Sequence, residues 1–129
     1  MSPRVLIVDD EAYVRLLIEQ TLEDLEDDGV ELLAASNGEE ALELIKESPP
    51  ELVFLDVMMP KKDGIEVCRT LKHELGVSNV YIIMLTAKGQ EFDKRSAEEA
   101  GADEYITKPL DPDELYAKAL EVLGLKPVG

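Results

Sequence analysis

Five short apolar runs alternate along this chain with stretches whose apolar residues fall three and four apart. The runs are Arg4–Val8, Val30–Ala35, Leu52–Leu55, Val80–Leu85 and Glu104–Thr107. The stretches between and after them are Glu11–Leu25, a segment opening at Asn37, Asp63–Leu75, Gln90–Ala100 and Pro112–Leu123. Parallel strands need a long crossover, and a helix usually supplies it. Apolar runs without polar alternation predict strands buried on both faces. The pattern specifies an α/β chain: one doubly wound, five-stranded parallel sheet, helices on both faces, right-handed crossovers. At 129 residues the chain has room for one such domain and its core.

Local signals fill in the elements. The first helix places Val14, Leu17, Ile18, Leu22 and Leu25 on one face, ahead of a turn at Asp27–Gly29. Asn37 is expected to cap the second helix, with Glu40 three residues on as in a capping box. Ala41, Leu42 and Ile45 form its apolar face, and Pro49–Pro50 stop it. The third helix carries Ile65, Cys68, Leu71 and Leu75 near one face. The fourth has few large apolar residues and should be loosely held. The fifth has Pro112 in its first turn and Gly124 at its end. Its expected core face is Leu115, Ala119, Val122 and Leu123, which leaves Tyr116 and Leu120 exposed as a docking surface.

Net charge is −16. Such a surface repels nucleic acid and anionic lipid, so neither is expected as a direct partner. No apolar run approaches the ~20 residues of a membrane span. The opening MSPRVLIVDD runs straight into acids and does not read as a signal peptide. A single cysteine, Cys68, excludes an internal disulfide and suits a cytoplasmic location. Cys68 reads as a small core residue and His73 as a surface one.

The chemistry lies where the apolar runs stop. Asp9 and Asp10 follow VLIV, Asp56 follows LVFL, Thr86 follows VYIIML and Lys108 follows EYIT. Ligands of open parallel sheets bind outside the carboxyl ends of the strands. Parallel strands would therefore gather three carboxylates, a hydroxyl and an ammonium at one edge. Two like charges ~4 Å apart repel by about 4 kcal/mol at an effective dielectric of ~20, so one carboxyl should hold a proton unless a cation intervenes. Oxygen ligands without nearby His or Cys point to Mg²⁺ or Mn²⁺. Asp56, alone after the most apolar strand, is the natural nucleophile for an aspartyl phosphate. The metal, Lys108 and Thr86 would each take one phosphoryl oxygen, and the small Ala87 would leave that site open.

These residues sit in LIVDDE, LDVMMPKKDG, MLTA and YITKP, four motifs in one order across essentially the whole chain. The chain resembles the receiver domain of bacterial two-component response regulators. The resemblance implies a flavodoxin-like fold with strand order 2-1-3-4-5, residues 1–124 forming the receiver and 125–129 a short tail. It implies Mg²⁺ held by Asp9 or its water, Asp10, Asp56 and the backbone carbonyl of Met58. It implies phosphoryl transfer to Asp56 from a histidine kinase, a phosphotransfer protein or a small donor such as acetyl phosphate. A cis Lys108–Pro109 bond is implied by the same likeness.

Thr86 and Tyr105 match the family's switch. The likeness implies that phosphorylation draws in the Thr86 hydroxyl, that the 87–90 loop follows, and that Tyr105 turns inward. The resemblance implies an output face of helix 4, strand 5 and helix 5, acting on a downstream protein or an output domain outside this chain. Lys88 with Glu114, and Glu98 with Lys118, resemble pairs that form phosphorylation-dependent homodimers in one subfamily, but Lys94 and Leu120 depart from its pattern. Met58 and Lys88 occupy positions that tune phosphate lifetime. Lys61 and Lys62 either meet a kinase or form a solvated loop. Three other readings fit less well. A degenerate receiver, used as a phosphorylation-independent binding module, would not need the five site residues that are all present here. A flavin carrier would have to place its phosphate against Asp9, Asp10 and Glu11. An aspartate phosphohydrolase resembles Asp-x-Asp-x-Thr, where this chain has Asp9-Asp10-Glu11-Ala12-Tyr13.

Overall fold

The computed structural model describes residues 3–59, 63–76, 79–87 and 94–125. The strands are β1 (Arg4–Val8), β2 (Glu31–Ala35), β3 (Leu52–Asp56), β4 (Tyr81–Ala87) and β5 (Glu104–Lys108). The helices are α1 (Ala12–Leu22), α2 (Gly38–Glu47), α3 (Gly64–Arg69), α4 (Lys94–Ala100) and α5 (Pro112–Leu123). All neighbouring strands are parallel, in the order β2-β1-β3-β4-β5. The order reverses beside β1, which opens a crevice between the ends of β1 and β3. No helix among the described residues is long and apolar enough to cross a membrane.

Strand alternation divides the core into two layers. Leu6, Val8, Val53, Leu55, Ile82 and Met84 face α2 and α3 and the end of α4. Val5, Ile7, Leu52, Phe54, Ile83 and Leu85 face α1 and α5. Side chains on both faces explain why β3 is apolar throughout up to Asp56, with every residue buried.

Several helices depart from the periodicity reading. α1 ends at Leu22 and continues as a 3₁₀ segment, Glu23–Asp28, closed by Gly29 at φ 85°. Leu25 stays buried through that tighter winding. α3 changes into a π-helical segment, Thr70–Glu74, with the Leu75 amide bonded to the Thr70 carbonyl at 2.8 Å. The wider turn rotates the residues after it, so Leu75 leaves the core face and is 39% exposed. Val67 packs there instead, beside Cys68 and Leu71. Burial pushes the Cys68 thiol up to about 11, and its Sγ lies 3.4 Å from the Ala100 carbonyl. α4 is described from Lys94 onward, with Ala97 and Ala100 buried; the expected helix start and the 88–90 part of the loop lie outside the described residues, as do Lys61, Lys62 and residues 126–129.

Leu120 is not exposed. It is buried in the α1–α5 layer, with Tyr116 half-buried against it, because α5 packs its Leu115–Ala119–Leu120 stripe onto α1 and the sheet. Val122 and Leu123 lie at the rim of that layer. The Leu125 amide bonds to the Leu120 carbonyl past Gly124 at φ 69°, and the Leu125 side chain joins the same layer.

Asn37 caps α2 as expected, its side chain accepting from the Glu40 amide at 2.9 Å. The return bond goes elsewhere: the Glu40 carboxylate takes the Ser36 amide at 3.3 Å and the Ser36 hydroxyl at 3.0 Å. Asn37→Ala should cost about 1 kcal/mol, read from urea unfolding. Glu40→Gln should cost less, since Gln keeps an acceptor for Ser36.

Candidate functional site: a carboxylate cluster at the sheet edge

Register creates the site. Val8 pairs with Leu55, and the residues after them are Asp9 and Asp56. The Asp9 amide extends the ladder to the Ala35 carbonyl at 3.3 Å. Asp9 is fully buried, Asp56 is 4% exposed, and Asp10 is exposed. Each of the three offers a carboxylate oxygen, and these oxygens lie within 4.8 Å of one another. That spacing suits a shared hard cation, with Asp10 open to solvent for waters. Asp9 does not act as the α1 cap: Glu11 is the N-cap, without a side-chain cap bond, and Asp9 accepts from the Glu11 amide at 2.9 Å.

Lys108 reaches in from β5. Its ammonium donates to Asp9 at 3.0 Å, with Glu11 at 3.7 Å and Asp56 at 3.8 Å. The Lys108–Pro109 bond is cis. Burial alone would lower the Lys108 pKa, but the Asp9 hydrogen bond and the Asp56, Asp9 and Glu11 charges outweigh it and raise it. Asp56 is a carboxyl whose pKa is raised toward neutrality. Burial first, then the Asp9 charge, push it up to about 7, against the opposing pull of Lys108 and the Met58 amide bond. That amide donates to Asp56 Oδ1 at 3.2 Å, placing the Met58 backbone beside the acid while its side chain is 58% exposed.

Thr86 lies at the end of β4, 4% exposed, and Ala87 beside it is exposed in register with Lys108. Tyr105 is half-buried against the layer containing Cys68, and burial raises its pKa, aided by Glu98 and then Cys68. The edge thus brings together Asp9, Asp10, Asp56 and Lys108, with Thr86 and Ala87 on the adjoining strand.

The sequence model of the response regulator receiver domain matches residues 5–120. The chain belongs to the response regulator receiver family. It is 44% identical over 123 residues to the alkaline phosphatase synthesis transcriptional regulatory protein PhoP of Bacillus subtilis, covering 95% of this chain and 49% of that protein. It is 46% identical over 119 residues to the phosphate regulon transcriptional regulatory protein PhoB of Pseudomonas aeruginosa, covering 92% of this chain and 51% of that one. The chain spans about half the length of these curated relatives. A CheY-like response regulator receiver domain protein from Methanospirillum hungatei superposes with a TM-score of 0.81 at 33% identity, over 95% of this chain and 94% of that one. This chain is a receiver domain of two-component response regulators, a signalling domain.

Three residues of this receiver's edge were given no part in the site by the motif reading, although Glu11 and Thr107 lie inside the motifs. Arg15, one turn into α1, donates to the Asp9 carbonyl at 2.6 Å and ties down the loop between β1 and α1. Glu11 stands 3.7 Å from Lys108. Thr107 receives the Thr86 hydroxyl bond at 3.2 Å. Thr107 was open to discovery by pairing the two strand ends; Arg15 needed the loop's path. Away from the site, at the start of β5, Glu104 pairs with Lys118 at 2.7 Å within the chain, so Lys118 already has a partner.

Proposed function

We propose that this receiver accepts a phosphoryl group on Asp56 and uses it as a switch. Asp9, Asp10, Asp56 and the Met58 carbonyl would hold Mg²⁺, with Mn²⁺ a substitute. When bound, the cation neutralises the carboxylate cluster and stabilises charge on the transferring group. Asp56, freed of its proton, attacks phosphorus in line. The bond from phosphorus to the donor breaks, and the leaving group departs with its electron pair. Lys108 steadies one phosphoryl oxygen, Thr86 another, and Ala87 leaves the approach clear. The donor is a histidine kinase, a phosphotransfer protein or acetyl phosphate. The chain assists its own phosphorylation and dephosphorylation without turning over a separate substrate.

The observation that carries this reading is the set of three carboxylates within 4.8 Å, one of them buried at the end of β3 and faced by a lysine. The switch runs from Thr86 to Tyr105, and the α4–β5–α5 face passes it to a protein target, to an output domain outside this chain, or to a second copy. Light scattering that shows an unchanged monomer after phosphorylation would remove the homodimer. We assign residues 1–124 to the receiver, 125–129 to its tail, and the whole to the cytoplasm.

Intact mass spectrometry after acetyl phosphate and Mg²⁺ tests the acceptor. One added phosphoryl group is expected, lost in Asp56→Asn and in excess EDTA. No adduct under any condition, or an undiminished adduct in Asp56→Asn, rejects the assignment.

A further inference from the structure

The Thr86 hydroxyl points along the sheet. It donates to the Thr107 hydroxyl at 3.2 Å, between two residues held side by side by the β4–β5 register. Thr86 is 4% exposed, whereas Thr107 is exposed. A hydroxyl has one proton to donate. A phosphoryl oxygen only accepts, so Thr86 cannot serve it while donating to Thr107. We propose that Thr107 is a positioning residue, a latch that holds the Thr86 hydroxyl in its resting direction until phosphorylation outbids it. The inference rests on the reading of Thr86 as a phosphoryl contact.

The asymmetry of the pair gives the latch its sign. When Thr86 turns away, the exposed Thr107 exchanges its bond for water at little cost. When Thr107 loses its hydroxyl, the buried Thr86 donor is stranded in the resting state, and stranding a buried donor is the costly half of a broken bond. Thr86 is also β-branched, with few side-chain rotamers, so its hydroxyl exchanges between discrete directions. Only a contact that differs between two states shifts their balance, and this one exists in the resting state alone. Removing it should favour the engaged state about five-fold, the ratio given by a typical net hydrogen bond.

The test is the affinity of the full chain for beryllofluoride, a phosphoryl mimic, in Mg²⁺, by titration calorimetry. Thr107→Val keeps the side-chain shape and should bind about five-fold tighter. Thr107→Ala should shift the same way, and Thr107→Ser should match the parent because it keeps the acceptor. In a Thr86→Ala background, Thr107→Val should change the affinity by less than about two-fold, since coupled residues lose their effect together. A structural effect of the substitution would persist there and would overturn the latch. Unchanged or weaker binding by Thr107→Val, beside a parent that binds normally, also overturns it. A parent that neither binds beryllofluoride nor takes a phosphoryl group from acetyl phosphate rejects the acceptor reading itself, and the latch with it.

Discussion

Stripped of divalent cations, the protein should lose stability as pH rises from about 4 to about 7, and Asp56→Asn should remove most of that loss. The carboxyl of Asp56 is raised from 3.8 to about 7 in the folded chain, by burial and then by Asp9. Between those values the native state binds a proton that the unfolded state has released. Folding stability from this group is therefore complete below the lower value and gone above the upper one. The difference amounts to on the order of 4 kcal/mol, or roughly 15 °C in Tm for a domain of this size. Asparagine is neutral at every pH, and its side-chain oxygen can keep the Met58 amide bond seen at 3.2 Å. The variant should unfold later than the parent at pH 7.5 in EDTA and equally at pH 4.

Cation binding should reverse the order. A ligand that binds only the native state stabilises by about 2.7 kcal/mol at a hundred times its Kd. Mg²⁺ should thus raise the parent's Tm at pH 7.5 and do little for Asp56→Asn, which has lost a charged ligand. Calorimetric scans from pH 4 to 8, in EDTA and in Mg²⁺, make the comparison. Parallel stability curves for the two proteins in EDTA would show that Asp56 ionises freely, and the electrostatic account of the site would fail.

The sheet was legible because its strands are buried on both faces. No amphipathic alternation blurs LVFL or VYIIML, and a polar residue marks where each strand leaves the core. The site was legible from those strand ends, since parallel register carries like ends to one edge. Helix faces were less legible. The periodicity that placed Leu75 inside assumes an unbroken α-helix, and the π segment at Thr70–Glu74 adds a residue to the turn. Leu120 was given to solvent for a different reason: α5 is unbroken, but its inward stripe is Leu115, Ala119 and Leu120, which leaves Val122 and Leu123 at the rim, and periodicity alone does not fix where the centre of an apolar face lies. Glu40 satisfied a capping pattern yet bonded one residue upstream, a choice between adjacent donors that spacing cannot make. Thr107 and Arg15 matter through bonds to partners on another strand or in a loop, and local pattern does not encode those.

Gly64→Ala should damage both fold and site, by a route that has nothing to do with glycine's backbone freedom. Gly64 opens α3 behind the Asp63 cap, and its amide donates to the Val57 carbonyl at 3.0 Å. A Cβ there would overlap the Asp56 carbonyl oxygen and come within 3.0 Å of the Val57 Cα. Both obstacles are backbone, so no side chain can swing aside. Either α3 retreats from the sheet or the segment after β3 moves, carrying Asp56 and Met58 with it. Helix propensity favours alanine by up to about 1 kcal/mol, so the overlap must outweigh that gain. A net loss of about 2–3 kcal/mol is expected, as for other overpacked positions. Phosphorylation should slow further than stability alone explains, since ~1 Å of misplacement can cost ~100-fold in rate. Gly76→Ala is the control: φ is 66°, nothing lies within 4 Å of the new Cβ, and the site is remote. It should cost about 1 kcal/mol of backbone strain and leave the phosphorylation rate intact. Urea unfolding and acetyl phosphate kinetics on both variants decide the matter. If Gly64→Ala matches the parent in rate, the close approach does not position Asp56.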